Sequence, residues 1–581
     1  MGAEQQPLNE QDRVYMVVTD RFSDGNPANN GVLGREYRPG DLHYYQGGDW
    51  SGLKDQLAYI RRLGFTAVWM SPPQDNALFS RTADEAGYHG YYTRDFNSTN
   101  PHFGTKQELA RLMDEARSQG IKMILDAQLN HTANYLSESG DGFDTAYGKP
   151  APPFDDPSWY HHMPQAIADF SNIFQRHYCS LGGLSDLAQE NPACWRALCD
   201  AYRSDDGRRG WMSYGFAAAR IDAVMEVPER FLTAFERHIR VPCFGEAYTG
   251  IVSENAAFQK HIWSVLDFPL HFRMNNVFFE GAGWEKVQEI FDQDGMYRSE
   301  TSLLTFLDNH DRARFLQNAA DHYDKLRLAL AFLYCVRGIP IVYYGTEQAL
   351  GGDWCYTDAL VNDVNRQMMP GYDETAPLYT WIRRLNEIRS VFSDTLCFGK
   401  QNTIHLAQGD PVFAVLRTGQ VEPDIILGVF NNSPVLQRRV LQLGDIQKNG
   451  YWVNLLHTDE AVHFKEGECH VTLAPYGALL LTKRKATGFV PAPVKRTAIR
   501  IRYDCGWGNA LYLRGDTAPL NWERGLRCDC VGPDLWQCVL ERPSGGRIAF
   551  KALVNDAIWE SGENHCVTAY GNIEIRPAFC K

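Results

Sequence analysis

Ala217-Ala-Ala-Arg-Ile-Asp222 decides the reading of this chain: an apolar, strand-like run that ends on a carboxylate. Pro242-Cys-Phe-Gly-Glu246 has the same form, and Leu303-Leu-Thr-Phe-Leu307 runs into Asp308-Asn-His-Asp311. Acids that end three separate strands can converge only if those strands are parallel neighbours sharing one rim. That is how a β/α barrel builds a site.

Working outward, residues 12 to about 390 alternate between such runs and amphipathic helical patterns. The strand-like runs are Val14–Val18, Ala67–Met70, Met123–Leu125, Ala217–Ile221, Pro242–Gly245, Val265–Phe268, Leu303–Leu307 and Ile339–Tyr344. Gly52–Leu63, Lys106–Gln119, Pro228–Ile239 and Tyr323–Cys335 read as helices between them. The expectation is an α/β fold, a (β/α)₈ TIM barrel over residues 1–395. About ninety residues rich in Gly, Pro, Asp, Tyr and His separate the third run from the fourth. A connection that long is a functional excursion, read as an inserted subdomain at about 132–190.

Past about 395 the runs become short, alternating and turn-bounded: Pro411–Arg417, Ile425–Asn431, Arg438–Leu443, His470–Thr482. They predict a β-sandwich over 396–485. A Pro-containing stretch, 486–496, reads as a semi-rigid linker. Residues 497–581 form a second small all-β module.

A net charge of −14 argues against a nucleic-acid partner, which demands basic patches. No apolar run is long enough to span a bilayer, so no membrane partner is expected. Met1–Gln11 is polar and has no signal-peptide core. The expectation is an extracellular, secreted monomer whose leader is absent, with a cytoplasmic or periplasmic location as the alternative. Cys505, Cys528, Cys530, Cys538, Cys566 and Cys580 cluster near the C-terminus, either disulfide-linked in an oxidising compartment or reduced in a core. The 12% aromatic content suits a sugar ligand, which needs flat apolar faces, and equally a large aromatic core.

Paired carboxylates on a barrel rim point to cleavage of glycosidic bonds. Arg220 and Asp222, two apart on a strand, project from the same face, so Arg220 is expected to hold Asp222 ionised and lower its pKa. Glu246 follows an apolar run beside Tyr248, where desolvation raises a carboxyl pKa as a general acid requires. Gly245 permits close backbone approach. His310 and Asp311 are placed to hydrogen-bond sugar hydroxyls. Each acid could instead be a structural ion pair or a loop cap.

At this point the chain resembles the α-amylase family, glycoside hydrolase family 13, over its first 480 residues. The motifs are Asp126-Ala-Gln-Leu-Asn-His131, Leu184-Ser-Asp-Leu187, Ala219-Arg-Ile-Asp-Ala-Val-Met-Glu226, Phe244-Gly-Glu-Ala247 and Phe306-Leu-Asp-Asn-His-Asp311. The resemblance implies Asp222 as nucleophile, Glu246 as acid/base and Asp311 as transition-state stabiliser. It implies His89, Tyr91, His131, Arg220 and His310 around one glucose ring, and Tyr248 on the acceptor side. Thr19–Asn30 is similar to the calcium loop of cyclodextrin glucanotransferases. That likeness implies a Ca2+ cofactor held by Asp24, Asn26, Asn29, Asn30, the Gly47 carbonyl and Asp49. Without it, the loop reads as an Asx-rich turn. A second calcium is implied at Asn130 and Asp186, or at Gln189 if the motif slides by three, with Glu226 where relatives have His.

The last module resembles starch-binding modules of carbohydrate-binding family 20, on Leu513–Asp516, Leu520-Asn-Trp522, Phe550-Lys551 and Ile558–Asn564. That implies Trp522, Lys551 and Trp559 as one starch site, with Trp536 structural. The resulting expectation is a retaining hydrolase of α-1,4 bonds in starch and maltooligosaccharides. The rivals are a transglycosylase of cyclodextrin glucanotransferase type and a non-catalytic starch-binding protein. Two departures disfavour the transglycosylase: Gly182, Gly183 and Ser185 lie where those enzymes carry a central aromatic, and the linker leaves no room for their extra domain.

Overall fold

The computed structural model describes residues 6–579, apart from 33, 83, 139–141, 319–321, 352–363, 421–424, 458–460, 484–495, 507–508, 533, 542–545 and 569–571. Nearly all of the expected linker, together with Cys580, lies outside the described residues. The chain divides into two compact units, Met1–Gln401 with Ala407–Asp410, and Asn402–Leu406 with Pro411–Lys581.

Eight short strands make the centre of the first unit: β1 (Val14–Val17), β2 (Ala67–Met70), β3 (Lys122–Ala127), β4 (Ala218–Ile221), β5 (Cys243–Gly245), β6 (Ser264–Val265), β7 (Leu304–Phe306) and β8 (Ile339–Tyr343). They pair in the order β6-β5-β4-β3-β2-β1-β8-β7, every pair parallel. A single parallel bridge, Leu266 to Leu304, closes the ring between β6 and β7. The Asp267 amide adds a hydrogen bond to the Leu304 carbonyl at 2.9 Å. All residues of β1, β2, β4 and β8 are buried, as a sheet covered on both faces requires. The ring is a TIM-like (β/α)₈ barrel.

The expected helices form at Trp50–Leu63, Lys106–Ser118, Glu229–Ile239 and Tyr323–Cys335. Lys106–Ser118 opens on a capping box, Thr105 and Glu108 each bonding the other's backbone N–H. The sixth strand differs from its expected span. Val265–Phe268 was too long because Asp267 stops the strand: its side chain accepts from the Leu270 amide at 3.1 Å, and Pro269 sits in the first turn of helix Phe268–Phe279. Asp-Phe-Pro is a helix-start signal that overrides the apolar run.

The long excursion lies between β3 and β4. Its two ends are joined where His131–Thr132 pairs antiparallel with Ser185–Asp186, so the insertion is pinned at its base to the loop leaving β3. Helix Ile173–Tyr178 lies within it and exposes Ile173 and Phe174.

The second unit holds an eight-stranded antiparallel sheet from Lys400–His405 to Ala478–Thr482, closed over a core that includes Trp452, Phe464 and Leu481. The expected strand His470–Thr482 is two strands, Glu468–Leu473 and Ala478–Thr482, broken at Tyr476, whose φ is +48°. The C-terminal residues add a four-stranded and a five-stranded sheet with a separate core containing Leu513, Trp536 and Phe550. Cys505, Cys528, Cys538 and Cys566 are free thiols, and Cys528 faces Cys538 across neighbouring strands.

The barrel seam is its thinnest point, and a buried cation spans it. Arg337, just before β8, ion-pairs with Asp267 after β6, and with Asp294 at 2.7 Å. Arg337 and Asp267 have at most 1% side-chain exposure. Removing one partner leaves an uncompensated buried charge. Arg337→Ala is therefore expected to destabilise the first unit by about 3–5 kcal/mol, read by urea denaturation. A loss below about 1 kcal/mol would show that the pair does not hold the seam.

Candidate active site

Parallel pairing sets the carboxylates at one level. Asp126 in β3 lies in register with Arg220 in β4, and Ile221 with Gly245 in β5. The ladder runs one bond past the strand ends: the Asp222 amide donates to Ala127 at 3.0 Å and the Glu246 amide to Ile221 at 2.9 Å. Asp222 and Glu246 therefore leave adjacent strands side by side on the same rim. Gly245 allows this closeness, because a Cβ there would stand 2.7 Å from Val224 Cγ1.

Arg220 is the centre of the site. Its side chain is fully buried. Nη1 lies 2.8 Å from Asp126 Oδ1 and 2.7 Å from Asp222 Oδ1, and Nη2 lies 2.6 Å from Glu246 Oε2. The Glu246 contact is one of charge, out of line with the N–H bonds. Glu246 also accepts from the Ala223 amide at 3.3 Å. Asp311 keeps 28% of its side chain exposed, against 12% for Asp222, 11% for Glu246 and none for Asp126. A ligand can thus reach the three rim acids but not Asp126.

The charge states follow from burial first. Desolvation pushes Glu246 well above the usual carboxylate range, outweighing Arg220. Asp222 is also raised, against the expectation from its neighbour: burial, helped by the charge of Asp311, exceeds the pull of Arg220, which is shared with two other acids. Asp311 is the opposite case. Burial raises it, but His310, Arg366 and Arg220 bring it to about 2. His310 is itself lowered by burial to about 3, so at neutral pH the two guanidiniums hold Asp311 ionised.

Around these acids stand neutral polar rings. Burial lowers His131 to about 4 and takes His89 well below its ordinary value. Tyr91 Oη lies 2.9 Å from Asp126 Oδ2 and 2.7 Å from His310 Nε2, and the Tyr91 and His310 rings stack at 5.3 Å. His131 Nε2 is 3.9 Å from Asp222 Oδ2. Tyr248, 49% exposed, stands on the rim two residues past Glu246. Asp222, Glu246, Asp311, His89, Tyr91, His131, Arg220 and His310 therefore belong to one cluster, and Tyr248 stands beside it on the rim.

Several members were missed in the sequence. Arg366 Nη2 bonds Asp311 Oδ1 at 3.0 Å and Nε bonds the His310 carbonyl at 2.9 Å. Asn365 Nδ2 donates to the Asn309 carbonyl at 3.0 Å and to the Arg312 carbonyl at 2.6 Å. Trp69 Nε1 fixes Asp126 Oδ2 at 2.9 Å. The available signal was positional: Asn365 and Arg366 follow β8, and every loop after a barrel strand reaches this rim.

The N-terminal loop gathers oxygen. Asn29 Oδ1 and Asn30 Oδ1 are buried without a partner, and Asn30 Nδ2 donates to Asp24 Oδ2 at 2.7 Å. Gly47 has φ +98°, and a Cβ on it would lie 2.7 Å from the Asn30 amide. Asp49 accepts from the amides of Asn26 (2.8 Å) and Gly52 (2.7 Å), so it also caps helix Trp50–Leu63. Asn26 Oδ1 is a weak cap of its own turn, 3.4 Å from the Ala28 amide. Among the described residues no three or more His, Cys, Asp or Glu gather as a metal cluster. The loop's donors are mainly amide and carbonyl oxygens, a set that fits a hard cation. At the base of the insertion, Asp186 lies level with His131 and next to Asn130. Asn130 Oδ1 and Asp186 Oδ1 lack aligned partners, while Asp186 Oδ2 meets His161 Nδ1 at 2.6 Å. Gln189 instead donates to the Leu129 carbonyl at 2.9 Å.

In the C-terminal module Trp522 and Trp559 are exposed and near parallel, with ring centroids 6.4 Å apart and planes at 25°. Lys551 Nζ donates to the carbonyls of Glu560 (3.2 Å) and Gly562 (2.7 Å). Trp536 is buried in the module core.

Known proteins match this architecture. The profile of the alpha amylase catalytic domain matches residues 16–380. A beta/alpha-amylase of Paenibacillus polymyxa is 30% identical over 486 residues, covering 81% of this chain and 38% of that protein. A cyclomaltodextrin glucanotransferase of Bacillus sp. (strain 38-2) is 32% identical over 404 residues, 65% of this chain and 54% of that one. The chain thus spans about half or less of the length of these relatives. Among solved structures, a cyclomaltodextrin glucanotransferase with a three-domain ABC distribution superposes with TM-score 0.71 at 29% identity, covering 82% of this chain and 99% of that one. An Anoxybacillus alpha-amylase gives 0.68 at 28%, with 82% and 99% covered. The chain belongs to the alpha-amylase family, and its barrel is that family's catalytic domain.

Proposed function

We infer that the chain is a retaining α-glucan hydrolase that cleaves α-1,4 bonds of starch and maltooligosaccharides. The observation that carries this reading is the guanidinium of Arg220, which touches Asp222 and Glu246 with its two terminal nitrogens. The two carboxyls sit on adjacent strand ends and share one guanidinium. That closeness favours the retaining arrangement, roughly 5–5.5 Å, over the wider inverting one.

Atom by atom, Asp222 Oδ1 is tied to Arg220, which leaves Oδ2 to attack the anomeric carbon. Glu246 Oε2 is held by Arg220 and the Ala223 amide, which leaves Oε1 to carry the proton to the leaving oxygen. Glu246 then takes a proton from the water that releases the sugar. Asp311, held ionised, stabilises the cation-like transition state. Neutral His89, His131 and His310 hydrogen-bond hydroxyls without adding positive charge.

Transfer to a second sugar is the other reading, favoured by the named glucanotransferase relatives. The missing extra domain no longer weighs against it, since a three-domain glucanotransferase superposes well. The remaining departure supports hydrolysis: Gly182 and Gly183, at φ +59° and +87°, make a left-handed turn that an aromatic side chain would strain.

A Ca2+ ion suits the N-terminal loop, held by Asp24, Asn26, Asn29, Asn30, the Gly47 carbonyl and Asp49; bound there it would neutralise the two acids and order the loop. Asn130 and Asp186 suit a second ion. Trp522 and Trp559 offer a stacking platform for starch, with Lys551 beside it, and a second site raises avidity for a polymer. A polymeric substrate outside the cell fits an extracellular, monomeric enzyme.

Three outcomes test this reading. Asp222→Asn and Glu246→Gln should each lower reducing-sugar release from starch by about 10³-fold or more, with unchanged circular dichroism. Near-wild-type release by either would end these roles, and cyclic dextrins as the main wild-type products would favour transfer.

The pH profile should be bell-shaped. On the acid side activity falls as Asp222 takes up a proton and cannot attack, at a pH above the ordinary aspartate value. On the alkaline side it falls as Glu246 loses the proton it must donate. The limbs belong to the coupled cluster, and Glu246→Gln should abolish the alkaline one in its residual activity.

Chelation should lower the thermal midpoint by about 5 °C or more, reversed by added calcium. Asn29→Ala with Asn30→Ala should remove the part of that calcium dependence owed to the N-terminal loop, leaving only what the second ion contributes. A midpoint indifferent to chelator in the wild type would exclude a structural ion.

A further inference from the structure

Arg312 is unexplained by the sugar cluster around Arg220. It follows Asp311, yet its side chain turns to the neighbouring loop. Nη1 donates to Tyr248 Oη at 2.5 Å, and the guanidinium carbon stands 5.9 Å from the Tyr248 ring centre and 5.4 Å from that of Phe272. Tyr248 is backed by buried Phe268, centroids 4.8 Å apart, and meets Phe272 edge-on at 5.7 Å. A ring so supported holds the arginine in one place, and cation–π contact adds to the hold.

Arg312 forms no ion pair among the described residues, although carboxylates crowd the adjacent pocket. Its Nε is buried and has no partner. A guanidinium has five N–H donors, of which the Tyr248 bond uses one. Among the described residues no other side-chain hydrogen bond or ion pair of Arg312 is formed, and the N–H groups on its half-buried terminal nitrogens can reach oxygen acceptors of a ligand.

The location follows from Glu246. A general acid must stand beside the oxygen it protonates, so the departing sugar lies on the side of the rim that Glu246 faces. Tyr248 extends from the same loop two residues further and is half exposed. The Arg312–Tyr248 bond therefore bridges the loops carrying Glu246 and Asp311, and borders the place where the leaving sugar must sit.

We propose that Arg312, held by Tyr248, is a specificity-determining residue that binds hydroxyls of the sugar on the leaving-group side of Glu246, the same position an incoming acceptor would use. Tyr248 supplies the face against which that ring lies, and Arg312 supplies donors at its edge. The proposal rests on Glu246 as general acid, and its test separates the two.

Two substrates suffice: maltopentaose, whose leaving group is a sugar, and 4-nitrophenyl α-maltotrioside, whose phenol leaving group has no hydroxyls for Arg312 to bind. The readout is the ratio of their kcat/KM values, which cancels any general loss of active enzyme. Arg312→Met should lower the maltopentaose-to-aryl ratio about tenfold, the scale of a hydrogen bond to a charged donor. Arg312→Lys should recover part of it, and Tyr248→Phe, which removes only the anchoring hydroxyl, should lower it by less. An unchanged ratio in a folded Arg312→Met enzyme overturns the proposal while leaving the glucan-cleaving reading intact. If that variant does not fold, an unchanged ratio in Tyr248→Phe overturns it instead. A wild-type enzyme inert on both substrates would defeat the functional reading itself.

Discussion

One buried cation organises the catalytic unit. Arg220 has no solvent exposure and touches Asp126, Asp222 and Glu246. Without it three acids would converge at the end of a closed barrel in a region of low dielectric, where a single unpaired charge costs several kcal/mol. With it, they are held close and at different charge states. Asp126 contributes by locking the guanidinium from below, and is itself fixed by Trp69 and Tyr91. The site is therefore built on strands and braced from behind by the fully buried Asp126 and Trp69, the arrangement that keeps reacting groups within fractions of an ångström.

Much of this was legible in the sequence, because the barrel writes its pattern locally. Eight apolar runs gave eight strands, and acids at their ends gave the rim. Legibility failed where a local signal competed with the pattern. Asp267 and Pro269 started a helix inside an apolar run and shortened β6 to two residues. Tyr476 broke what read as one strand in the sandwich. The pKa of Asp222 was misjudged for a different reason. Adjacency to Arg220 was visible, but burial and the sharing of one cation among three acids are tertiary facts. Arg366 and Asn365 were invisible to motif reading because they sit after the last strand in an irregular segment.

The oxygen-rich N-terminal loop shows how far composition goes without geometry. Its Asn and Asp residues read by themselves as an Asx-rich turn, and as a cation cage only through the resemblance. The geometry adds what composition lacks: Asp49 caps a helix as well as facing the loop, and Asn29 and Asn30 bury amide oxygens without partners. A turn needs no orphaned acceptors, whereas an all-oxygen cation site does. The same distinction separates Asp186 from Gln189, since Gln189 spends its amide on a backbone carbonyl and Asp186 keeps an oxygen free.

The balance of charge around the pocket matches the electrostatic need of the proposed reaction. Burial pushes Glu246 well above the usual carboxylate range, as a group that must carry a proton requires, and near neutral pH the three histidines are neutral. Asp126, at about 6, and Asp311, at about 2, are ionised. Once Asp222 is ionised as well, three carboxylates face the two guanidiniums of Arg220 and Arg366, a net charge of −1. An oxocarbenium-like transition state gains positive charge at the anomeric carbon, so this surplus acts where that charge develops. Arg312 stands outside this balance, bonded to Tyr248 on the neighbouring loop; in the position proposed for it, a cation would hold hydroxyls without opposing the charge that builds in the ring.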